Sequence, residues 1–282
     1  MRAVLAVHPG SGGGAAERLK GVVAARLRER VDRLELWTGD PAGAAGGDLL
    51  VVLGGDGAVH QAVQVCAGTG TALAVLPAGG GNDFARALGI PLDPLRALDT
   101  LLDALASGRR RVLDLGRADD GCWFATVLCA GFDAAVARLA AALRWPTGPH
   151  RYDVAVVGEL ARFRPKPVAL SFDGDRWELE ATLVAVGNTG YYGGGIPVCP
   201  AADPGDGLFD ITVVGRAGRA DLIRLLPRLR TGAHLAHPAV RTVRAREVLI
   251  EGNGWPVVAD GEPAGTVPVS VRCVPGALAI VL

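Results

Sequence analysis

The chain opens with an unbroken apolar run, "RAVLAVH", of a length that suits a buried strand. The next segment, "AAERLKGVVAARLRER", changes period and places Ala16, Leu19, Val23 and Leu27 on one face, which predicts a helix. "RLELW" and "DLLVVLGG" then read as strands, "GAVHQAVQVC" as a helix and "TALAVLP" as a strand. "NDFARALG" and "DPLRALDTLLDALASG" read as helices, the second with Asp93 at its N-cap, Pro94 in its first turn and Gly108 as its stop. Strands that alternate with helices predict a parallel, doubly wound α/β sheet, whose ligands sit beyond the carboxyl ends of the strands.

After about residue 109 the pattern changes. "RRVLDLGRA", "CWFATVLCAG", "PVALSFDG", "RWELEATLVAVGN", "LFDITVVG", "AVRTVRA", "EVLIEG" and "VPVSVRCV" are strand-like and separated by Gly, Asp or Pro turns, with "FDGDRW" read as a hairpin. Two helical segments interrupt them, near Asp133 to Arg164 and Arg219 to Leu229. The expectation is two domains: residues 1–115, with 276–282 returning to them, and a largely antiparallel β-sandwich over 116–275.

Composition narrows the chemistry. The 282 residues carry 29 basic and 29 acidic side chains, so no bulk charge draws the protein to nucleic acid or an anionic membrane. The N-terminal apolar run is short for a secretion signal and no later run has the length of a membrane span, which predicts a cytoplasmic protein. Five scattered cysteines without a CxxC pair read as core residues. Only Lys20 and Lys166 are lysines and neither follows a glycine-rich loop. A lysine-bearing phosphate loop is thus excluded, and any nucleotide must be held by backbone amides, arginine and metal.

The candidate amides lie in "HPGSG", "GGDG" and "LPAGGGND", the last two directly after predicted strands. Gly54, Gly55 and Gly57 leave main-chain donors open to phosphate. Asp56 makes sense there through Mg²⁺ and its waters, or as a helix N-cap; both roles could hold together. Ser11 offers a hydroxyl, and Asn82 and Asp83 are candidates both for the pocket and for capping a helix. Further on, "VVADGEPAG" reads by itself as a hairpin tip bearing Asp-Gly-Glu.

In order, "HPGSGGG", "GGDGAVHQ", "LPAGGGNDFARALGIP", "GFDA", "GNTGYYGGG", "PAADPGDGLFD" and "ADGE" resemble the diacylglycerol kinase catalytic family, soluble bacterial lipid kinases related to sphingosine kinases and sharing "GGDG" with NAD kinases. The resemblance spans nearly the whole chain. It implies ATP-dependent transfer of the γ-phosphoryl group to a hydroxyl of a lipid such as diacylglycerol, with ATP and Mg²⁺. The implied nucleotide contacts are His8, Pro9, Gly10, Ser11, Gly12, Thr38, Gly54, Gly55, Asp56, Gly57, Ala58, Gly79, Gly80, Asn82 and Asp83. It implies Glu262 as general base, supported by Asp133, with Asp56 at the metal, and a second, structural Mg²⁺ held by Asp206 and the carbonyls of Asp203 and Leu208.

Several positions depart from the family pattern. Ala58 and Gly80 lack expected hydroxyls, His60 and Gln61 replace an amide and a carboxylate, and His8 stands where asparagine is usual. These changes keep two rivals in view: a kinase of the same fold acting on a non-lipid alcohol, and a non-catalytic nucleotide- or lipid-binding module. Segment 136–167, arginine-rich with Trp145 and Phe163, suits either transient contact with the inner membrane face or packing on its own domain. A homodimer stays open.

Overall fold

A computed structural model describes residues 1–38, 47–143, 145, 150–162 and 164–282. The first part runs β1 (Arg2–Val7), α1 (Ala15–Arg28), β2 (Arg33–Thr38), β3 (Leu49–Gly54), α2 (Asp56–Cys66), β4 (Ala72–Pro77), α3 (Asp83–Ala87) and α4 (Pro94–Ser107). The strands pair in the order β2-β1-β3-β4, all parallel. The chain reverses its winding between β1 and β3, and the loops after these two strands therefore flank the switch point where doubly wound sheets bind ligands. Every residue of β3 and β4 is buried, as a parallel sheet covered on both faces requires. α4 has the expected caps: the Asp93 carboxylate accepts from the Leu95 and Arg96 amides, and Gly108 ends the helix at φ 68°.

The second part runs β5 (Arg111–Ala118), β6 (Trp123–Phe124), β7 (Val127–Gly131), α5 (Phe132–Ala142), α6 (His150–Arg162), β8 (Lys166–Phe172), β9 (Asp175–Gly187), β10 (Phe209–Gly215), α7 (Arg219–Leu229), β11 (Val240–Ala245), β12 (Glu247–Gly252), β13 (Pro256–Ala259), β14 (Glu262–Thr266) and β15 (Val269–Ile280). Its pairings are antiparallel and form a sandwich around Phe124, Leu170, Phe209 and Trp255. "FDGDRW" is a two-residue hairpin in which Asp173 and Gly174 both take positive φ (44° and 96°), the geometry that matches strand twist.

Two elements differ from the sequence reading. "CWFATVLCAG" is not one strand: it breaks at Ala125 and Thr126, whose amides leave the ladder to reach Asp260. "VPVSVRCV" and the terminal "ALAIVL" join instead into β15, which shifts register between Val274 and Leu278 and brings Ile280 beside Leu73 of β4. One strand thus belongs to both layers and fixes the second part against the first.

Candidate active site

Three loops meet at the switch point. The first follows β1, where Gly12, Gly13 and Gly14 take φ of 59°, 62° and 85° in succession, a path that side chains disfavour. Within it His8 Nδ1 lies 3.1 Å from Ser11 Oγ, and Ser11 Oγ also accepts from the Gly55 amide at 3.3 Å. The second and third loops touch backbone to backbone, since a Cβ on Gly79 would stand 2.6 Å from Gly55 Cα. Gly55 and Gly79 therefore serve to join loops before they serve a ligand. Gly13 and Gly80 differ: a Cβ on either would meet nothing within 4 Å, so their backbone faces open space.

The polar side chains of the third loop have roles the sequence did not reveal. Asn82, at φ 54°, turns its amide back to bond both Gly79 N and Gly79 O at 2.9 Å. The amide of Asp83 that opens α3 is capped instead by Asp56 Oδ1, at 2.7 Å. Asp56 thus lies in the first turn of its own helix while capping another. Burial, with the nearby Asp83 carboxylate, raises its pKa above the usual carboxylate value. Asp83 is buried and faces the other domain, accepting from Gly194 N at 2.9 Å and Gly195 N at 2.6 Å. Ala58 is buried beneath Gly54, while Pro9 and Gly10 are exposed at the loop rim. Thr38 ends β2 opposite Val7, at the same edge of the sheet.

Across the seam, β13 and β14 form a hairpin whose turn residues, Asp260 and Gly261, have φ of 53° and 87°. Glu262 is exposed, and a Cβ on Gly57 would stand 3.0 Å from its Oε1. The carboxylate therefore lies against the first turn of α2, where the helix presents its unpaired amides.

Asp133 does not join it. The hairpin tip lies at the Val127 end of β7, where Asp260 N donates to Val127 O, whereas Asp133 follows the Gly131 end. The Asp133 carboxylate instead accepts from Tyr192 Oη. Burial pushes Asp133 up to about 6 despite that bond. An acid with a raised folded pKa contributes stability below its unfolded value of 3.8 and loses it as pH climbs through about 6. Asp133→Asn is accordingly expected to raise thermal stability at pH 7.5, by up to roughly 3 kcal/mol, and to change little at pH 4. Denaturation curves of both proteins at the two pH values check this.

The loop assigned to a structural Mg²⁺ is closed in another way. Asp206 Oδ1 accepts from the Leu208 amide at 3.0 Å, its Oδ2 is paired with Arg244, and Asp203 faces Arg111 at 3.2 Å. Arg244 Nε also lies 3.4 Å from Asp210. Buried Asp114 holds the loop backbone through Gly207 N at 2.7 Å and extends to Gly276 N at 2.8 Å. Mg²⁺ completes its six oxygens largely with water around one or two carboxylates, and here a guanidinium supplies the positive charge beside Asp206. Among the described residues no group of three or more His, Cys, Asp or Glu is arranged for a metal. In this arrangement the Asp206 carboxylate of the implied donor set is paired with Arg244 and the Leu208 amide. The thermal midpoint is expected to be the same in EDTA and in millimolar Mg²⁺ without nucleotide, and a rise of several degrees with Mg²⁺ would restore the metal.

With this geometry in place, comparison with known proteins is direct. Residues 2–118 match the diacylglycerol kinase catalytic domain, and residues 126–282 match the YegS C-terminal NAD kinase β-sandwich-like domain. The chain is 42% identical to a diacylglycerol kinase of Mycobacterium tuberculosis, over 97% of this chain and 92% of that one. It belongs to the diacylglycerol kinase family.

A YegS-like lipid kinase of Pseudomonas aeruginosa is 35% identical, over 84% of this chain and 77% of that one. The fold is that of a Bacillus anthracis diacylglycerol kinase (TM-score 0.74, 22% identity, 99% and 96% of the chains) and, more distantly, of an Archaeoglobus fulgidus NAD kinase in complex with ATP (TM-score 0.59, 14% identity, 100% and 94%). The chain thus has a lipid kinase's two domains, an α/β domain and a mostly antiparallel sandwich, with the three loops of the first facing the hairpin of the second. Sequence reasoning missed Asp260, Asp114 and Arg244. Asp260 alone carried a signal, being part of "ADGE".

Proposed function

We propose that this protein is an ATP-dependent kinase that transfers the γ-phosphoryl group to the hydroxyl of a lipid such as diacylglycerol. The observation that carries this reading is Glu262 Oε1 against Gly57, a carboxylate of one domain brought beside the first turn of a helix of the other. The first turn of α2 and the open backbone at Gly13 and Gly80 offer the triphosphate amide donors, and they fit its charge without a lysine. Mg²⁺, arriving with ATP as substrate, supplies charge neutralisation for the transferring group. Asp56 Oδ2 is the carboxylate oxygen turned toward Gly81, and it fits that ion or its waters.

Glu262 is solvent-facing and takes the proton of the acceptor hydroxyl on its carboxylate. Asp83 holds Gly194 and Gly195, and Asp133 holds Tyr192, so both shape one loop on the acceptor side. A cleft of about 600 Å³ between α5, α6 and the sandwich is lined by Arg138, Arg164, Lys166 and the ion pair of Arg162 with Glu159, beside Trp255 and Pro256. Its cations over an apolar floor suit transient contact with an anionic lipid surface at the inner membrane face, as does Trp145, 83% exposed; Phe163 lies outside the described residues. Among the described residues no helix is long and apolar enough to cross a membrane.

An acceptor screen with labelled ATP tests the reading. Label is expected in diacylglycerol or a related lipid alcohol. Transfer to a soluble alcohol and to no lipid would favour the non-lipid kinase, and absence of any calorimetric heat with Mg²⁺ and nucleoside triphosphates would remove the enzyme altogether.

A further inference from the structure

His60 departs from the family pattern, and nothing in the proposed chemistry uses it. It lies one turn into α2 and reaches across the domain seam. Its Nδ1 lies 2.9 Å from Asp260 Oδ2, with the two side chains 11% and 5% exposed. Asp260 is the residue on which the hairpin turns. Its Oδ1 accepts from Thr126 N at 2.7 Å and Thr126 Oγ1 at 2.6 Å, and its Oδ2 from Ala125 N at 3.0 Å. One turn further along the same face of α2, Gln64 exchanges two bonds with Trp123: Oε1 accepts from its amide at 2.9 Å and Nε2 donates to its carbonyl at 2.7 Å. A helix of the nucleotide domain is thereby fixed to the strand break and hairpin of the acceptor domain, and that hairpin presents Glu262 two residues after Asp260.

We propose that His60 is a positioning residue: its contact with Asp260 clasps the β13–β14 hairpin to α2 and so sets the distance of Glu262 from the helix N-terminus. The inference rests on the reading of Glu262 as general base. A buried carboxylate with four hydrogen-bond partners has little freedom, and the turn it anchors inherits that rigidity. Close placement is what a general base needs, because an error of about 1 Å can cost on the order of 100-fold in rate. Burial lowers the His60 pKa, but the bonds to Asp260 and to the Cys122 side chain outweigh this and raise it to about 10. Asp260 and Cys122 are the titratable groups that face it. A group with a raised folded pKa keeps its contribution below its unfolded value and loses it above the folded one, so the clasp holds at neutral pH and loosens only as pH passes through about 10.

The test compares wild type with His60→Ala, Asp260→Asn, the double variant and Glu262→Gln, using labelled ATP and the acceptor found in the screen. His60→Ala is expected to lower kcat about 10- to 100-fold while the KM for ATP stays within about twofold. The double variant is expected to lose little more than the worse single variant, because the two residues act as one contact. The alkaline fall in kcat near pH 10 is expected to vanish in His60→Ala. If that variant does not fold, His60→Gln replaces it: the amide can still donate to Asp260, so it should keep more activity but lose the alkaline limb. An unchanged kcat and pH profile in whichever variant folds, with Glu262→Gln inactive, overturns the clasp and leaves the kinase reading intact. Full turnover by Glu262→Gln overturns the kinase reading itself.

Discussion

Glu262→Gln is expected to abolish turnover while the protein folds and binds nucleotide as before. The substitution keeps size and shape but removes the group proposed to take the acceptor proton, and a positioned general base contributes about 10²- to 10⁴-fold. Glu262 is exposed and its carboxylate approaches Gly57, so little stability depends on it. Three measurements on one preparation check this: phosphate transfer, calorimetric affinity for ATP with Mg²⁺, and the thermal midpoint. The expected pattern is a loss confined to transfer. Weaker ATP binding would instead show that Glu262 shapes the phosphate site, and an unchanged rate would leave only the binding module.

Asp83→Ala is expected to produce the largest loss of stability. The carboxylate is buried and satisfies the amides of Gly194 and Gly195, which belong to a loop of the other domain. Removing a charged acceptor leaves two donors facing a seam without partners, at a cost of about 2–4 kcal/mol. The capping bond to Asp56 is expected to survive, because it uses the backbone amide of residue 83. The thermal midpoint should therefore fall by about 5–10 °C, and the KM for the acceptor should rise more than the KM for ATP. Asp83→Asn, with one acceptor oxygen, should fall between. Equal effects on the two KM values would place Asp83 within the nucleotide pocket, as the resemblance implied.

Much of this protein is determined by local pattern. Apolar runs separated by a 3.6-period segment give the parallel layer, the Asp93 and Gly108 caps bound α4, and Asp-Gly at 173–174 makes a hairpin turn, with the Asp173 carboxylate also accepting from the Arg246 and Glu247 amides. The order of the glycine loops and of "ADGE" marked the loops and the hairpin that the fold brings together. Long-range polar pairing was not legible, because one residue type suits several partners and only folding selects among them. Glu262 directly follows a glycine and Asp133 lies two residues after one, yet β7 separates them, and the carboxylate that shares the hairpin with Glu262 is Asp260. Asp206 resembles a metal ligand until β11 brings Arg244 to it. Asp56 could cap its own helix by sequence, and in the fold it caps α3. Short-range backbone preferences were thus written in the chain itself, whereas the identity of each buried carboxylate's partner was decided by which strands and helices the tertiary structure brought within hydrogen-bond reach.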